Sequence, residues 1–191
     1  TGSSGSVGHG LSSTPDFVTI KRLDGSTNWQ TWYTGAGTNP SSGINRLYLN
    51  TSDDNDSSTT NVYYPDATKI NLNSGDHFFN TSGANYIAYC WHSVSGYSKI
   101  GSYAGTGSSN SITGLGFQPD WIIIKETDGV DSWEVYDSVR GDDKVLYPNG
   151  NNAESTGSNF TSFDSDGFTV SSATSVNENG KTYIYMAFKI N

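Results

Sequence analysis

The 191 residues are enough for one large sandwich or two small domains, and the hydrophobic share of 33% falls well below the ~45–50% of ordinary globular chains. An aromatic share of 13% nonetheless argues against disorder, because disordered chains avoid Trp and Tyr. A net charge of −9 argues against nucleic acid and anionic membrane as partners, since both require a basic face.

The single cysteine, Cys90, leaves no internal disulfide and no multi-cysteine metal site. Either the chain assembles in a reducing cytoplasm or packing alone stabilises it. No apolar stretch approaches the ~18 residues needed to span a bilayer, so membrane insertion is not expected. The 22 glycines, with abundant Ser, Thr and Asn and sparse Ala, Leu and Glu, fit a loop-rich all-β protein of extracellular or virion type. Sustained 3.6-residue periodicity is absent, which predicts almost no helix.

In chain order, a Gly/Ser stretch over 1–14 leads to a predicted strand over 17–22, a turn at Asp24-Gly25 and a strand over 28–34. A long loop over 35–45 and a short strand over 46–50 precede an acidic stretch, 51–60, read as an exposed loop. Strands over 62–64 and 68–72 flank a Pro65-Asp66 turn, and a strand over 85–92 closes the first half. The second half is predicted to have strands over 121–126, 132–138, 144–147, 159–163, 167–171 and 182–190. Bulky β-branched and aromatic residues bounded by Pro-Asp and Asp-Gly make the first two of these a hairpin.

Two of these strands carry more information. Trp121-Ile122-Ile123-Ile124 does not alternate, which places it centrally with both faces covered. In the last strand, Ile184, Met186, Phe188 and Ile190 alternate with Tyr183, Tyr185, Ala187 and Lys189. The first set, matched by Ile87, Tyr89 and Trp91, is expected to face the core.

The halves repeat. Pro15-Asp16-Phe17-Val18-Thr19-Ile20-Lys21 is answered 104 positions later by the run beginning at Pro119, and Gly10, Leu11, Asp24, Gly25 and Trp29 keep that offset. Leu47-Tyr48 answers Leu146-Tyr147 at 99, and Gly83 with Tyr86-Ile87 answers Gly180 with Tyr183-Ile184 at 97. The offset changes between blocks and holds within them, as fixed strands and variable loops require. The expected domains are therefore 1–98 and 99–191. Thr1-Gly2-Ser3-Ser4 recurs as Thr106-Gly107-Ser108-Ser109, but only the second copy follows a strand-like run, 99–105. The first repeat thus lacks its opening strand. Either the chain is a segment of a longer polypeptide or its start is arbitrary. The fold class expected is all-β, a β-sandwich of jelly-roll type with two homologous repeats packed in tandem. Whether each repeat is its own sandwich or both share one larger sandwich stays open at this point.

The ordered set running from His92 to Tyr103, then Gly116-Phe117-Gln118-Pro119-Asp120-Trp121, Tyr136-Asp137-Ser138-Val139-Arg140-Gly141, Phe163-Asp164-Ser165-Asp166-Gly167-Phe168 and 182–188 resembles a repeat of tailed-bacteriophage structural proteins. Those are tail-fibre or capsid-associated proteins with concanavalin A-like (LamG-like) sandwiches. The resemblance covers the second half fully and the first more weakly, with no match there to the Asp137–Gly141 run. It implies a non-catalytic virion surface component, made in the bacterial cytoplasm and used for host attachment or surface assembly. Its partners would be other virion proteins and a host-surface glycan, in a homo-oligomer or as part of a larger chain.

Candidate chemistry is sparse. Glu126-Thr127-Asp128-Gly129-Val130-Asp131 approximates the alternating carboxylates of sandwich-fold glucanases, the alternative function, but Asp128-Gly129 is a turn signal that breaks the strand under the motif. No cofactor is expected. The acids Asp53, Asp54 and Asp56 with Asn55, and Asp164 with Asp166, offer hard oxygens for Ca²⁺ without EF-hand spacing. His9, His77 and His92 share no ligand spacing. Cys90 is expected to be a buried filler. Trp29 and Trp133 are assigned to the core. Trp32 and Tyr136 fall on the opposite strand face, which is either a stacking platform for sugar rings or a second buried layer between the units. With Asp137 and Arg140, these two form the candidate carbohydrate-binding set.

Overall fold

Runs of bulky β-formers, interrupted every few residues by Gly, Asn, Asp or Pro, leave antiparallel pairing as the main way to satisfy buried backbone groups. The computed structural model describes residues 2–39, 43–59, 62–73 and 78–190. The chain forms two compact units, residues 1–50 with 55–92 and residues 51–54 with 93–191.

Unit 1 contains β1 (Gly5–Gly8), β2 (Phe17–Arg22), β3 (Gln30–Tyr33), β4 (Ile44–Tyr48), β5 (Asp56–Ser58), β6 (Tyr63–Pro65), β7 (Lys69–Leu72) and β8 (Tyr86–Trp91). They form two antiparallel sheets in the orders β1-β7-β6 and β5-β4-β3-β2-β8. Unit 2 contains β9 (Ser98–Ala104), β10 (Asn110–Thr113), β11 (Trp121–Glu126), β12 (Glu134–Asp137), β13 (Gly141–Leu146), β14 (Ser155–Thr156), β15 (Phe160–Asp164) and β16 (Gly167–Val170). A single helical turn, α1 (Thr174–Asn177), and β17 (Thr182–Phe188) complete it. Its sheets run β10-β16-β15 and β14-β13-β12-β11-β17-β9. The protein is all-β and sandwich-like. Adding nine to each strand number of unit 1 gives the strand orders of unit 2, which has β9 in addition.

β2 and β11 have the bounds predicted for them. β1, β5, β10 and β14 lie in stretches with no strand prediction: β1 is exposed throughout and carries only Val7 as a bulky residue. Pairing with β7 makes it a strand, not its own composition.

In unit 2, Ile122, Ile124, Tyr136, Phe160, Phe168, Val170, Tyr183, Tyr185 and Ala187 share one core cluster. The last strand is buried on both faces: Tyr183, Tyr185 and Ala187, expected to point away from the core, lie in the core between the sheets. Ile184 and Met186 are also buried, on the other face, while Ile190 is exposed. Interior tyrosines are tolerated because their hydroxyls reach carbonyls: Tyr183 donates to Thr174 O at 2.7 Å and Tyr103 to Val176 O at 2.6 Å. Ile123 is buried opposite Ile122 and Ile124, so β11 is covered on both faces, as its unbroken apolar run predicts. Cys90, expected to be a buried filler, is only half-buried.

Three hydrogen-bonding devices recur in both units. Lys21 Nζ donates to Gly25 O at 3.2 Å and Thr27 O at 2.6 Å; the fully buried Lys125 Nζ donates to Glu126 O at 2.7 Å and Gly129 O at 3.0 Å. Burial pulls the Lys125 ammonium down to about 8. Asn50 Oδ1 accepts the Trp29 N–H at 2.7 Å, and Asn149 Oδ1 accepts that of Trp133 at 3.0 Å. Asn80 Nδ2 bridges Ser3 O and Asn73 O at 2.8 and 2.9 Å, while Asn177 Nδ2 bridges Ser108 O and Ser171 O.

Asn177 is fully buried, and its Oδ1 also accepts the Thr106 N–H at 2.8 Å. Asn177→Ala leaves these groups without their partner, at a cost of about 2–3 kcal/mol. The expected result is a melting temperature lowered by roughly 10 °C. A variant that melts with the parent would contradict this role.

Candidate functional site

The segment Trp133-Glu134-Val135-Tyr136 is buried at every position, and the carboxylate in it is the exception that needs explaining. Register places Glu134 opposite Ile124 and Tyr136 opposite Ile122, on the core face of the six-stranded sheet. Glu134 is 2% exposed. It accepts the Tyr136 hydroxyl hydrogen, and Asn159 Nδ2 lies 3.3 Å from each of its oxygens. Burial pushes its pKa above the usual 4.5, against the hydrogen bonds from Tyr136, Ser175 and Asn159. Burial, with the adjoining Glu134 charge, raises the Tyr136 phenol far enough to keep it protonated.

Glu134 lines a polar concavity of about 600 Å³ together with Asp131, Tyr147, Asn152, Glu154, Asn159 and Ser175. Tyr147 is half-buried and supplies the aromatic surface; its hydroxyl bonds to Ser155. Glu154 is held by Arg140 Nη1 at 3.1 Å, and the same guanidinium pairs with Asp137. Burial raises the Asp137 pKa, but the amide and guanidinium of Arg140 outweigh it and leave the carboxyl below its ordinary range. A second buried acid, Glu126, pairs with Lys181 Nζ at 3.1 Å. Burial raises its pKa, Lys181 lowers it and nearby Asp131 raises it further, leaving it above the usual value.

Of the four residues selected from sequence, the structure joins Asp137 to Arg140 and connects both to this concavity through Glu154. Trp32 and Tyr136 are corrected: they are 4% and 1% exposed, and neither presents a ring to solvent. Both lie on strands with neighbours on either side and covered on both faces, and Tyr136 packs within the core cluster of unit 2. Trp32 Nε1 donates to Gly37 O at 2.8 Å. Trp133 is core as expected, whereas Trp29 is only half-buried. Sequence reasoning missed Glu134, Tyr147 and Asn159 as site residues. A signal for the first was present: a charge inside an otherwise unbroken run of large apolar residues.

Three of the acids considered for Ca²⁺ have local partners. Asp164 accepts from Ser162 and Thr169 hydroxyls, both at 2.7 Å. Asp166 accepts the amides of Gly114 and Gly116 at 3.0 and 2.7 Å, and Asp56 pairs with Arg46. Among the described residues, no group of three or more His, Cys, Asp or Glu is placed to hold a metal ion. His9 bonds to Asp66 O and Leu11 N, both at 3.1 Å; His77 lies outside the described residues.

Acceptors dominate the concavity, with hydroxyls and amides between them. Such a lining suits a ligand rich in hydroxyl donors and disfavours an anion. Over residues 1–191 the chain matches the family described as Domain of unknown function (DUF7483), and it belongs to that family. No curated protein and no solved structure matches it.

A carboxyl whose pKa is raised by folding holds its proton more tightly in the folded state. Its contribution to stability is therefore full below the unfolded value near 4.5 and is lost as pH rises through the folded value. Glu134→Gln, the residue type at the matching position 30, removes that loss. Relative to the parent, the variant should gain stability between pH 4 and pH 7 in urea titrations. A relative stability that falls or stays level over that range would contradict the assignment.

Proposed function

We propose that this member of the DUF7483 family is a non-catalytic module of a bacteriophage virion, in a tail fibre or capsid decoration. It is displayed outward for host attachment or surface assembly. In this reading the two units are copies of one concanavalin A-like, jelly-roll sandwich, and the concavity beside Glu134 takes a hydroxyl-rich ligand such as a host-surface glycan. Other virion proteins are its partners, in a homo-oligomer or as part of a larger chain.

The observation that carries this reading is the shared plan of the units. The strand orders differ only by a shift of nine and one added strand, and the lysine, asparagine and tryptophan contacts recur at the offsets found in the sequence. Repetition of this kind multiplies a surface without assembling different groups around one reaction centre. The ordered resemblance to phage repeats and the acidic, disulfide-free composition support the same reading.

Glycan cleavage of the glucanase type is the rival. Against it, Glu126 and Glu134 are each 2% exposed and already engaged, one by Lys181 and the other by Tyr136 and Asn159. Glycosidic catalysis needs two carboxyls flanking an accessible bond.

A panel of bacterial surface glycans tests the proposal. The parent chain should retain at least one glycan unaltered, and Tyr147→Ala should weaken its binding about three- to tenfold, the amount one aromatic contact contributes. Undiminished binding by the variant would remove the concavity from the account. New reducing ends would move the protein to the enzyme class.

A further inference from the structure

Unit 2 closes its larger sheet with β9, which pairs with β17 through seven residues, from Ser98 opposite Phe188 to Ala104 opposite Thr182. The inward residues of β9 complete the core. Tyr103 stacks on Tyr183 with ring centroids 5.1 Å apart and also meets Phe168 and Tyr185. Gly101 passes against Tyr185, whose ring occupies the space a Cβ would need.

In unit 1 the strand matching β17 is β8, and it ends its sheet. Among the described residues β2 is its only strand neighbour. The registers Phe17 with Trp91 and Trp121 with Phe188 set Tyr86, Ala88 and Cys90 where unit 2 has Tyr183, Tyr185 and Ala187. Ala88 is exposed, whereas Tyr185 is buried. Under it lies a mainly apolar cavity of about 260 Å³, walled by Val7, Ile20, Ile70, Phe79, Tyr86 and Ala88. The matching walls of unit 2 form the core against which Tyr103 packs.

We propose that the β8 edge and this cavity are an acceptor for one antiparallel strand from outside residues 1–191, seated as β9 is seated on β17. The strand carries an aromatic residue at the position of Tyr103. Opposite Ala88 it carries a bulky apolar residue, because unit 1 reverses the Gly101–Tyr185 size match. Backbone pairing at an open edge supplies affinity, and alternate side chains entering the cavity supply selectivity. Strand orders, registers, the packing of β9 and the cavity of unit 1 carry this proposal, which stands whether or not the concavity of unit 2 binds glycan.

The test adds three peptides to the whole chain: the β9 sequence Ser98–Ala104, its Gly101→Leu form, and the Gly101→Leu form that also carries Tyr103→Ala. Binding is read by calorimetry and by the shift in melting temperature. The Gly101→Leu peptide should bind about tenfold more tightly than the β9 sequence, the gain expected from burying a leucine, and should raise the melting temperature. Loss of Tyr103 should weaken it by a similar factor. Ala88→Tyr in the protein should invert the preference, and if that variant does not fold, the peptide order on the parent chain stands as the test. Absence of binding by all three, equal binding by all three, or self-association of the parent through β8 seen in sedimentation and blocking the peptides, would overturn the proposal.

Discussion

A strand covered on both faces has no recourse to water, so each of its backbone groups must be met sideways by another strand. β11 is such a strand: Ile122 and Ile124 are buried on one face, Ile123 and Lys125 on the other. β12 and β17 flank it, and in unit 1 β3 and β8 flank β2. The requirement passes outward to the turns that follow. The turn after β11 has carbonyls that bond to buried Lys125, and the turn after β2 does the same with Lys21. Asparagines 80 and 177 then fix two chain segments apiece through their carbonyls. The larger sheets and their connections follow from the central apolar runs.

The same constraint explains where the units differ. At the interior position next to the central strand, unit 1 has Gln30 and unit 2 has Glu134, both buried. A charge is tolerated there because Tyr136 and Asn159 bond to it and a polar concavity adjoins it. The sheet edge differs as well. β17 is flanked by β11 and β9, and β8 by β2 alone among the described residues. The interior polar group and the sheet edge are thus two places, among the described residues, where units of matching strand order differ.

What could be read from sequence follows from which forces are local. β2 and β11 were legible because their bulky residues declare both strand and burial. β1 and β5 were not, since Gly5-Ser6-Val7-Gly8 and Asp56-Ser57-Ser58 become strands only through β7 and β4. Alternation in β17 marks Ile184 and Met186, which are buried, but not the opposite face, because it ranks Tyr below Ile and Met, whereas bonded hydroxyls let Tyr183 and Tyr103 pack into the core. Trp32 and Tyr136 looked available because strand parity separates faces without saying what covers them. Glu134 carried a local signal, yet the residues that surround it, Tyr147 and Asn159, come from other strands and loops, beyond any spacing rule.

The central claim, matching strand orders in the two units with β9 beside β17 and, among the described residues, no strand at the outer edge of β8, is tested most directly by amide hydrogen exchange along those two strands. The account predicts strong protection along 183–188. Within 86–91 it predicts that the amides directed away from β2 exchange far faster than those directed toward it. Equal and uniform protection of both strands would contradict it.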